Sequence, residues 1–298
     1  ELLVPNLALL WRIPSVDGFD GGVLPLQRFN QFTSVVIPPD VLVPDGRLRE
    51  QIREVPPTSL LNLMDVQYLI TDKVKDLWFE DVFYDRQIGA RLTVTNPVVA
   101  IGAPTPFEAT RLDLIATIDA PETRLATLQD AAEPVASVTI TGAGGSTQSF
   151  TITAGGAVGA QVADGALDSP LAARSGAIVA YRDVEGGRQE YRVSLALPQP
   201  MQPTTITVTS LDPAFDVVVQ AATLVDERTG MFTPLLPSDR GHFALVHSGD
   251  VKIYENLDKH GRAWLAPTVV TVDSPQEAVA TLQTAAPGTA VVEGGRAL

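Results

Sequence analysis

Apolar and polar residues alternate along the middle of the chain. In "RQEYRVSLAL", residues 188–197, Tyr191, Val193 and Leu195 fall on odd positions with polar residues between them. Because successive side chains of a strand point to opposite faces, this pattern predicts half-buried antiparallel strands. Runs of this kind, separated by turns that carry Gly or Pro, cover 91–101, 111–118, 135–141, 147–153, 177–182, 188–197, 204–210 and 216–226. Eight short strands in succession predict a β-sandwich of the jelly-roll type.

The two flanks of this region follow a different pattern. "TSLLNL" predicts a short helix with Thr58 or Ser59 as its N-cap, and a buried strand, "VQYLIT", follows it. "HFALVHSGDVKIYENL" predicts a hairpin that turns at Ser248–Gly249–Asp250. "VVTVDSPQEAVATLQ" predicts a strand and then a helix, which Ser274 caps while Glu277 completes a capping box. The flanks therefore mix helices and strands.

Lysine usage divides the chain in a similar way. All four lysines lie outside residues 91–236. Since each flank alone has too few strands to cover an apolar face, we expect residues 1–90 and 237–298 to form one small α/β domain. The sandwich, residues 91–236, is then inserted into that domain, which makes the chain α+β and mostly β. The alternative is three independent pieces.

Composition excludes several classes of function. With a net charge of −14, the chain repels phosphate backbones, so we expect no nucleic-acid partner. It has no cysteine and therefore no disulfide, zinc–thiolate site or catalytic thiol. The apolar stretch "ELLVPNLALLW" is about half as long as a membrane span and lacks the positive start of a signal peptide. Glu1, and a "TAVVEG" strand pattern with no partner after it, indicate an excised fragment.

Motifs for catalysis, cofactors or metals are missing from the sequence. "GAGGS" lacks the Lys-Ser/Thr of a phosphate loop and is interpreted as a hairpin loop, and no G-x-S-x-G or H-E-x-x-H occurs. His242 and His247 are five residues apart on one predicted strand, so they point to opposite faces and do not chelate a metal together. Asp17 and Asp20 lie in a Gly-rich stretch whose spacing fails the calcium-loop pattern, which favours a turn. We therefore predict no catalytic, cofactor or metal residue.

One stretch, "DVKIYENLDKHGRAWL", residues 250–265, contains many polar residues. Its alternation places Tyr254 on the face of Lys252 and turns Ile253 inward. The alternative roles are a structural strand–turn–strand, which we favour, and a contact with a ligand.

The residues that follow this strand favour a turn. Asn256 and Asp258 are turn formers that leave the strand. Arg262 is expected to begin the next strand and to pair with Glu255 across the turn, an exposed ion pair that stabilises by only about 0–1 kcal/mol.

Three segments of the flanks resemble a known family. "GDVKIYENLDKHGRAWL" followed by "VVTVDSPQEAVATL" resembles a C-terminal signature of bacterial YfhO-like polytopic membrane proteins, which are similar to GT-C glycosyltransferases that use polyprenyl-phosphate sugars. "PSVDGFDGGVLPLQRF" resembles the family's glycine–aromatic–aspartate segment, and "LLNLMDVQYLITDK" its segment leading into a central strand. Motif residues, to which we assign structural roles, are Asp17, Gly18, Phe19, Tyr254, Glu255, Asn256 and Arg262.

The resemblance implies a function for the chain. It implies a non-catalytic domain on the extracytoplasmic face of the cell membrane, a soluble fragment of a membrane glycosyltransferase-like protein. Its expected partners are that protein's own transmembrane region, which this sequence lacks, and a glycan or polyprenyl-linked sugar. The negative charge suits a domain that faces outward, because Lys and Arg are in excess on the cytoplasmic side. The sandwich resembles galactose-binding-like jelly rolls at the level of the fold.

Two other classes of function remain open. A free-standing secreted carbohydrate-binding module requires exposed aromatic side chains on one sandwich face, and residues 91–236 contain no Trp. A hydrolase with unrecognised carboxylates requires a catalytic pair that the sequence does not single out among its 35 acidic residues.

Overall fold

The structure, a computed structural model, describes most of the chain. The described residues are 12–16, 27–38, 40–43, 48–103, 106–121, 123, 133–162, 177–183 and 187–294, with the backbone alone for 160–162. These residues divide into two compact units: unit 1 comprises residues 1–71 and 240–298, and unit 2 comprises residues 72–239.

The described residues form four helices and eighteen strands. The helices are α1 (Gln27–Thr33), α2 (Leu48–Gln51), α3 (Thr58–Leu63) and α4 (Pro275–Thr284). The strands are β1 (Tyr68–Thr71), β2 (Asp76–Phe79), β3 (Val82–Asp85), β4 (Ala90–Leu92), β5 (Val98–Gly102), β6 (Ala109–Ala120), β7 (Glu133–Gly142), β8 (Thr147–Ala154), β9 (Ala160–Val162), β10 (Ile178–Asp183), β11 (Arg188–Met201), β12 (Pro203–Ser210), β13 (Asp216–Asp226), β14 (Met231–Leu235), β15 (Phe243–Ser248), β16 (Lys252–Asn256), β17 (Thr268–Val272) and β18 (Thr289–Glu293).

Unit 1 contains two small sheets. The first is antiparallel in the order β1–β16–β15, and Ile70 lies opposite Ile253. The predicted segments "VQYLIT" and "VKIYEN" therefore belong to one sheet, although 180 residues of sequence separate them. The second sheet pairs β17 and β18 in parallel, with α4 as the connection between them. The "TAVVEG" strand thus pairs with a strand that precedes it, whereas the sequence led us to look for a partner after it.

In unit 1 the predicted N-cap residue is found in one helix, α4, and is not found in another, α3. Ser274 caps α4: its hydroxyl accepts the Glu277 N–H at 3.2 Å, and the Glu277 carboxylate accepts the Asp273 N–H at 3.0 Å. The predicted capping residue is confirmed. In α3 no side chain caps the first turn, because Thr58 is itself the first helical residue and its hydroxyl bonds Asp258.

Unit 2 is a β-sandwich. Its larger sheet has seven strands, β10–β11–β6–β13–β14 in order with β4 beside β13 and β9 beside β6, and its smaller sheet has the order β5–β12–β7–β8. The alternation places one face of each sheet in a shared core, since residues that alternate along a strand lie on one face. Buried members of this core include Val99, Leu112, Leu114, Ile118, Val138, Ile140, Tyr191, Ile206, Val208 and Leu224. The prediction of a mostly β chain is confirmed.

The β2–β3 hairpin covers the second face of the larger sheet. Val82 and Tyr84 pack with Ile115, Ala221 and Val225 in a separate buried cluster. β4 also pairs with β13 in the larger sheet. Because of these contacts, residues 72–90 belong to the same unit as the sandwich. The unit therefore starts at residue 72, about twenty residues before the start at residue 91 that lysine usage indicated.

One predicted strand is divided in two. The run 91–101 breaks between β4 and β5, where Thr93 and Asn96 exchange backbone hydrogen bonds across a turn. Because of this break, β4 lies in the larger sheet and β5 in the smaller one. The sequence pattern, taken as one continuous run over 91–101, does not reveal the break.

Candidate functional site

An aromatic surface lies on the outward side of the β2–β3 hairpin. Trp78 stands opposite Phe83 in the antiparallel register, and directly opposite residues share a face of the pair. The two ring centroids are 5.3 Å apart, and Phe232 of β14 meets Trp78 edge to face at 5.7 Å. Trp78 is 64% exposed. We call Trp78, Phe83 and Phe232 the aromatic platform.

The alternation of the hairpin explains why Trp78 faces outward. Leu77, Phe79, Val82 and Tyr84 occupy the positions that pack onto the larger sheet. In an extended strand the next residue must then point away from the sheet, which leaves Trp78 with one side of its indole in solvent. Burial of Val82 and Tyr84, worth about 1.5–3 kcal/mol for each fully buried apolar side chain, therefore fixes the outward residue as well.

Buried polar contacts hold the hairpin against the sheet. The Tyr84 hydroxyl donates to Asp113 Oδ2 at 3.0 Å, and the Ser194 hydroxyl donates to Asp113 Oδ1 at 2.7 Å. Arg111 Nη2 donates to the same carboxylate at 2.9 Å. Burial, and then the negative charge of Asp113, raise the pKa of Tyr84 above its ordinary value, so the phenol stays protonated and keeps donating.

A second buried contact fixes the end of the hairpin. Arg86, just after β3, donates to both oxygens of Glu190 on β11, with Nε–Oε2 at 2.6 Å and Nη2–Oε1 at 2.8 Å. The Arg86 guanidinium also lies 3.5 Å from the centre of the Tyr181 ring. A bidentate pair of this kind has a defined geometry, which restricts movement of the hairpin on the sheet.

The tip of the hairpin has an unusual backbone. Glu80 and Asp81 both have positive φ, 48° and 60°, as a two-residue turn of type I′ requires. Asn and Gly are the residues that adopt this conformation most readily. Glu80 forms an ion pair with Arg192 of β11, and the Arg192 guanidinium is 5.3 Å from the Phe79 ring centre. Asp81 is exposed and has no hydrogen bond or ion pair with the described residues.

The β16 strand that the sequence analysis singled out is structural, and its buried face is the opposite of the expected one. Tyr254 and Lys252 are fully buried and Asn256 is nearly so, whereas Ile253 is half-buried. The prediction that Ile253 faces inward is therefore wrong. Lys252 has an interaction partner within the protein, which reduces the cost of burying its polar amine.

Asn256 joins this strand to α3 and to the segment that follows it. Its Nδ2 donates to Asn62 Oδ1 at 2.9 Å and to the Val66 carbonyl at 3.1 Å, while its Oδ1 accepts the Asp258 N–H at 3.0 Å. Asp258 leaves the strand in a turn, as the sequence predicted.

The predicted Glu255–Arg262 pair does not form. Glu255 instead accepts a hydrogen bond from Gln67 at 3.2 Å, and the exposed Arg262 lies 3.6 Å from Asp65. Arg262 also lies in a bend and begins no strand. The pair was inferred from nearness in sequence, whereas the chain between α3 and β1 supplies the actual partners.

The other family-motif residues fall elsewhere. Asp17, Gly18 and Phe19, together with the calcium alternative at Asp17 and Asp20, lie outside the described residues.

The histidine nearest to a charged cluster is His242, which precedes β15. Its Nδ1 is 2.7 Å from Asp258 Oδ1, and its backbone N–H donates to Asp258 Oδ2 at 2.9 Å. Thr58 donates its hydroxyl to the same carboxylate at 2.8 Å. The Thr58 proton thus points at the carboxylate and away from the imidazole, which is unlike a nucleophile activated by its base.

Neither a metal site nor a large pocket accompanies these residues. Within the described ranges, no three His, Asp or Glu side chains come together as metal ligands do. A cavity in unit 1 between α3, α4 and Trp264 has a volume of about 30 Å³, far below the roughly 300 Å³ of an ordinary ligand pocket. Of the sites described above, the aromatic platform has the strongest binding character.

Comparison with known proteins finds no matching family model, no matching curated protein and no matching solved structure. Of the helices in the described part of the chain, none has the length and apolar character needed to cross a bilayer.

Proposed function

We propose that this chain is a non-catalytic domain that positions a glycan or a lipid-linked sugar for a membrane glycosyltransferase-like protein. The observation that carries the proposal is the aromatic platform. Pyranose rings have faces of C–H groups that pack on flat aromatic rings, and Trp78 presents a large, rigid surface of this kind. Stacking of a sugar on Trp78 requires no catalytic group.

The way the hairpin is anchored supports a binding role. Tyr84, Asp113 and the Arg86–Glu190 pair fix the strands on which the platform stands. A surface that is already ordered loses little conformational entropy when a ligand arrives, which favours binding.

The setting of the domain is part of the same proposal. We place it on the extracytoplasmic face of a membrane, next to the transmembrane region of a longer protein, and take the sandwich to be a galactose-binding-like jelly roll. The support consists of the resemblance of the flanks to YfhO-like proteins, the net charge of −14, and two mostly antiparallel sheets that share one core.

A second candidate is a free-standing secreted carbohydrate-binding module. It is favoured by the position of the platform, because Trp78, Phe83 and Phe232 all belong to unit 2. Residues 91–236 contain no Trp, and the exposed indole of the platform comes from Trp78, which precedes that range.

Glycan titration of the full chain tests the binding role. Oligosaccharide affinity is measured by isothermal titration calorimetry, and the NMR chemical shift of the Trp78 indole N–H locates the binding in the wild type. We expect Trp78→Ala to weaken binding about tenfold, because stacking of this kind contributes about 1–1.5 kcal/mol. Trp264→Ala is the matched control, since Trp264 is also partly exposed but belongs to unit 1. Equal loss of affinity in both variants, or no binding of any glycan by the wild type, would contradict the proposal.

A further inference from the structure

We infer that the aromatic platform selects glycans that carry free amino groups, so that its ligand is a cationic amino sugar. The inference rests on the proposed function and specifies the chemistry of the ligand. It follows from the sign of the unpaired charge at the hairpin turn near Trp78, which is negative.

The carboxylates of the hairpin tip lie close to the platform in the strand register. Trp78 and Phe83 form the second residue pair from the two-residue turn at Glu80–Asp81. Asp81 has no hydrogen bond or ion pair with the described residues. An unpaired carboxylate at the turn, three residues along the chain from an exposed indole, adds a second attraction for a cation, because the ring face is also negative.

The arginines closest to the hairpin are already paired. Arg192 pairs with Glu80, Arg86 with Glu190, Arg111 with Asp113 and Glu227, and Arg228 with Asp226 and Glu108. Arg188 has no ion pair with the described residues, and it lies on β11 two residues before Glu190, which holds the end of the hairpin opposite the turn. Lys73 and Lys75 precede β2, at the end of the hairpin opposite the turn. An approaching carboxylate or sulfate therefore meets repulsion at the tip, while an ammonium group is attracted.

The backbone conformation at the hairpin tip allows the charge of Asp81 to be removed by mutation without disturbing the turn. Asp81 has φ of 60°, a left-handed conformation that Asn adopts at least as readily. Asp81→Asn therefore removes the charge while keeping the size of the side chain and the turn. We expect this variant to unfold at the same temperature as the wild type or slightly above it.

The test compares three oligosaccharides on the full chain at low and moderate salt. The probes are a β-1,4-linked glucosamine hexamer, its fully N-acetylated counterpart and a galacturonate hexamer, titrated into wild type, Asp81→Asn and Asp250→Asn. We expect the wild type to bind the amino form about threefold to fivefold tighter than the acetylated form at low salt and to reject the galacturonate. Asp81→Asn should remove this preference without changing affinity for the acetylated form. Asp250→Asn, an exposed change in unit 1, should leave the preference intact.

The outcomes separate this inference from the proposed function. If both forms of the hexamer bind wild type equally, or if the preference survives in Asp81→Asn, the inference is wrong and the binding role stands. If neither hexamer shifts the Trp78 signal, the binding role itself fails. A hexalysine peptide that binds more tightly than either sugar would overturn the inference and assign the surface to a basic peptide.

Discussion

At the scale of single residues, Asp258 gathers hydrogen bonds from two distant parts of unit 1. Burial alone would raise the pKa of Asp258, but hydrogen bonds from the backbone and ring of His242, and from Thr58, outweigh it and leave the pKa lowered. We predict that Asp258→Asn lowers the free energy of unfolding by about 1–2 kcal/mol at pH 7, because charge-assisted hydrogen bonds become neutral or are lost. Urea denaturation followed by circular dichroism measures this difference.

The pH dependence of that difference has a defined sign. A carboxylate whose pKa is depressed in the folded state stabilises the fold above its unfolded pKa of about 3.9 and ceases to do so as the pH falls through the folded value. The gap between wild type and Asp258→Asn should therefore be full at pH 7 and shrink below about pH 4. Asp250→Asn serves as the control, since Asp250 is exposed in the hairpin turn. A gap that stays constant down to pH 3 would assign the effect to packing.

Residue orientation in β16 illustrates what a single strand can and cannot predict. The alternation of "VKIYEN" correctly placed Lys252 and Tyr254 on one face. The choice of the buried face depended on whether Ile253 or Lys252 points inward. Hydrophobicity favoured Ile253, but the face of Lys252 is the buried one. Burial of Lys252 requires polar partners from elsewhere in the fold, and the sequence around β16 does not reveal them.

At the scale of elements, one phenol links the β2–β3 hairpin to the buried carboxylate beneath it. We predict that Tyr84→Phe lowers the free energy of unfolding by about 1–2 kcal/mol, because the buried Asp113 carboxylate loses one of its three donors. Chemical denaturation of the full chain measures the change. The ring itself is retained, so packing of the hairpin is largely preserved.

A second tyrosine provides the matched control. Tyr68 is about half exposed, and its hydroxyl contacts only Gln67 among the hydrogen bonds described here, at 3.1 Å. Tyr68→Phe should therefore change the stability by less than about 0.5 kcal/mol. Equal losses in the two variants would show that the bond to Asp113 does not hold the hairpin.

Elements were predictable where the deciding signal is local. The cap of α4 and the β15–β16 hairpin each depend on a few consecutive residues, and both were found. The β2–β3 hairpin lies within the flank that lysine usage outlined, since Lys73 and Lys75 directly precede it, whereas the structure groups it with unit 2. Its alternation of inner Leu77 and Phe79 with outer Trp78 is a signal that a search for two-faced hairpins would have detected.

At the scale of the whole molecule, long-range pairing is the part that sequence patterns left undetermined. The strand runs of unit 2 follow from a period of two, which each run carries by itself. The position of β6 between β11 and β13, by contrast, depends on register between segments about a hundred residues apart. The aromatic platform shares this dependence, since the pairing of β14 with β13 is what places Phe232 beside Trp78.

The boundary at residue 72 leads to the last prediction. We expect excised residues 72–239 to unfold cooperatively, because they contain both sheets, the core between them and the hairpin that covers the larger sheet. The matched control is 91–236, the domain drawn from lysine usage. It lacks Tyr84 and Val82, so Ile115 and Val225 become exposed and Asp113 loses a donor.

Thermal and urea unfolding of the two fragments should show which of the two boundaries, residue 72 or residue 91, marks the start of a stable domain. Exposure of two aliphatic side chains at about 1.5–3 kcal/mol each predicts that 91–236 is less stable by at least about 3 kcal/mol, or does not fold. The longer fragment should also retain the wild-type indole N–H shift of Trp78, since every ring of the platform is present. Equal stability of the two fragments would mean that the hairpin adds nothing to the sandwich, and the platform would then lack the rigid support on which its binding role depends.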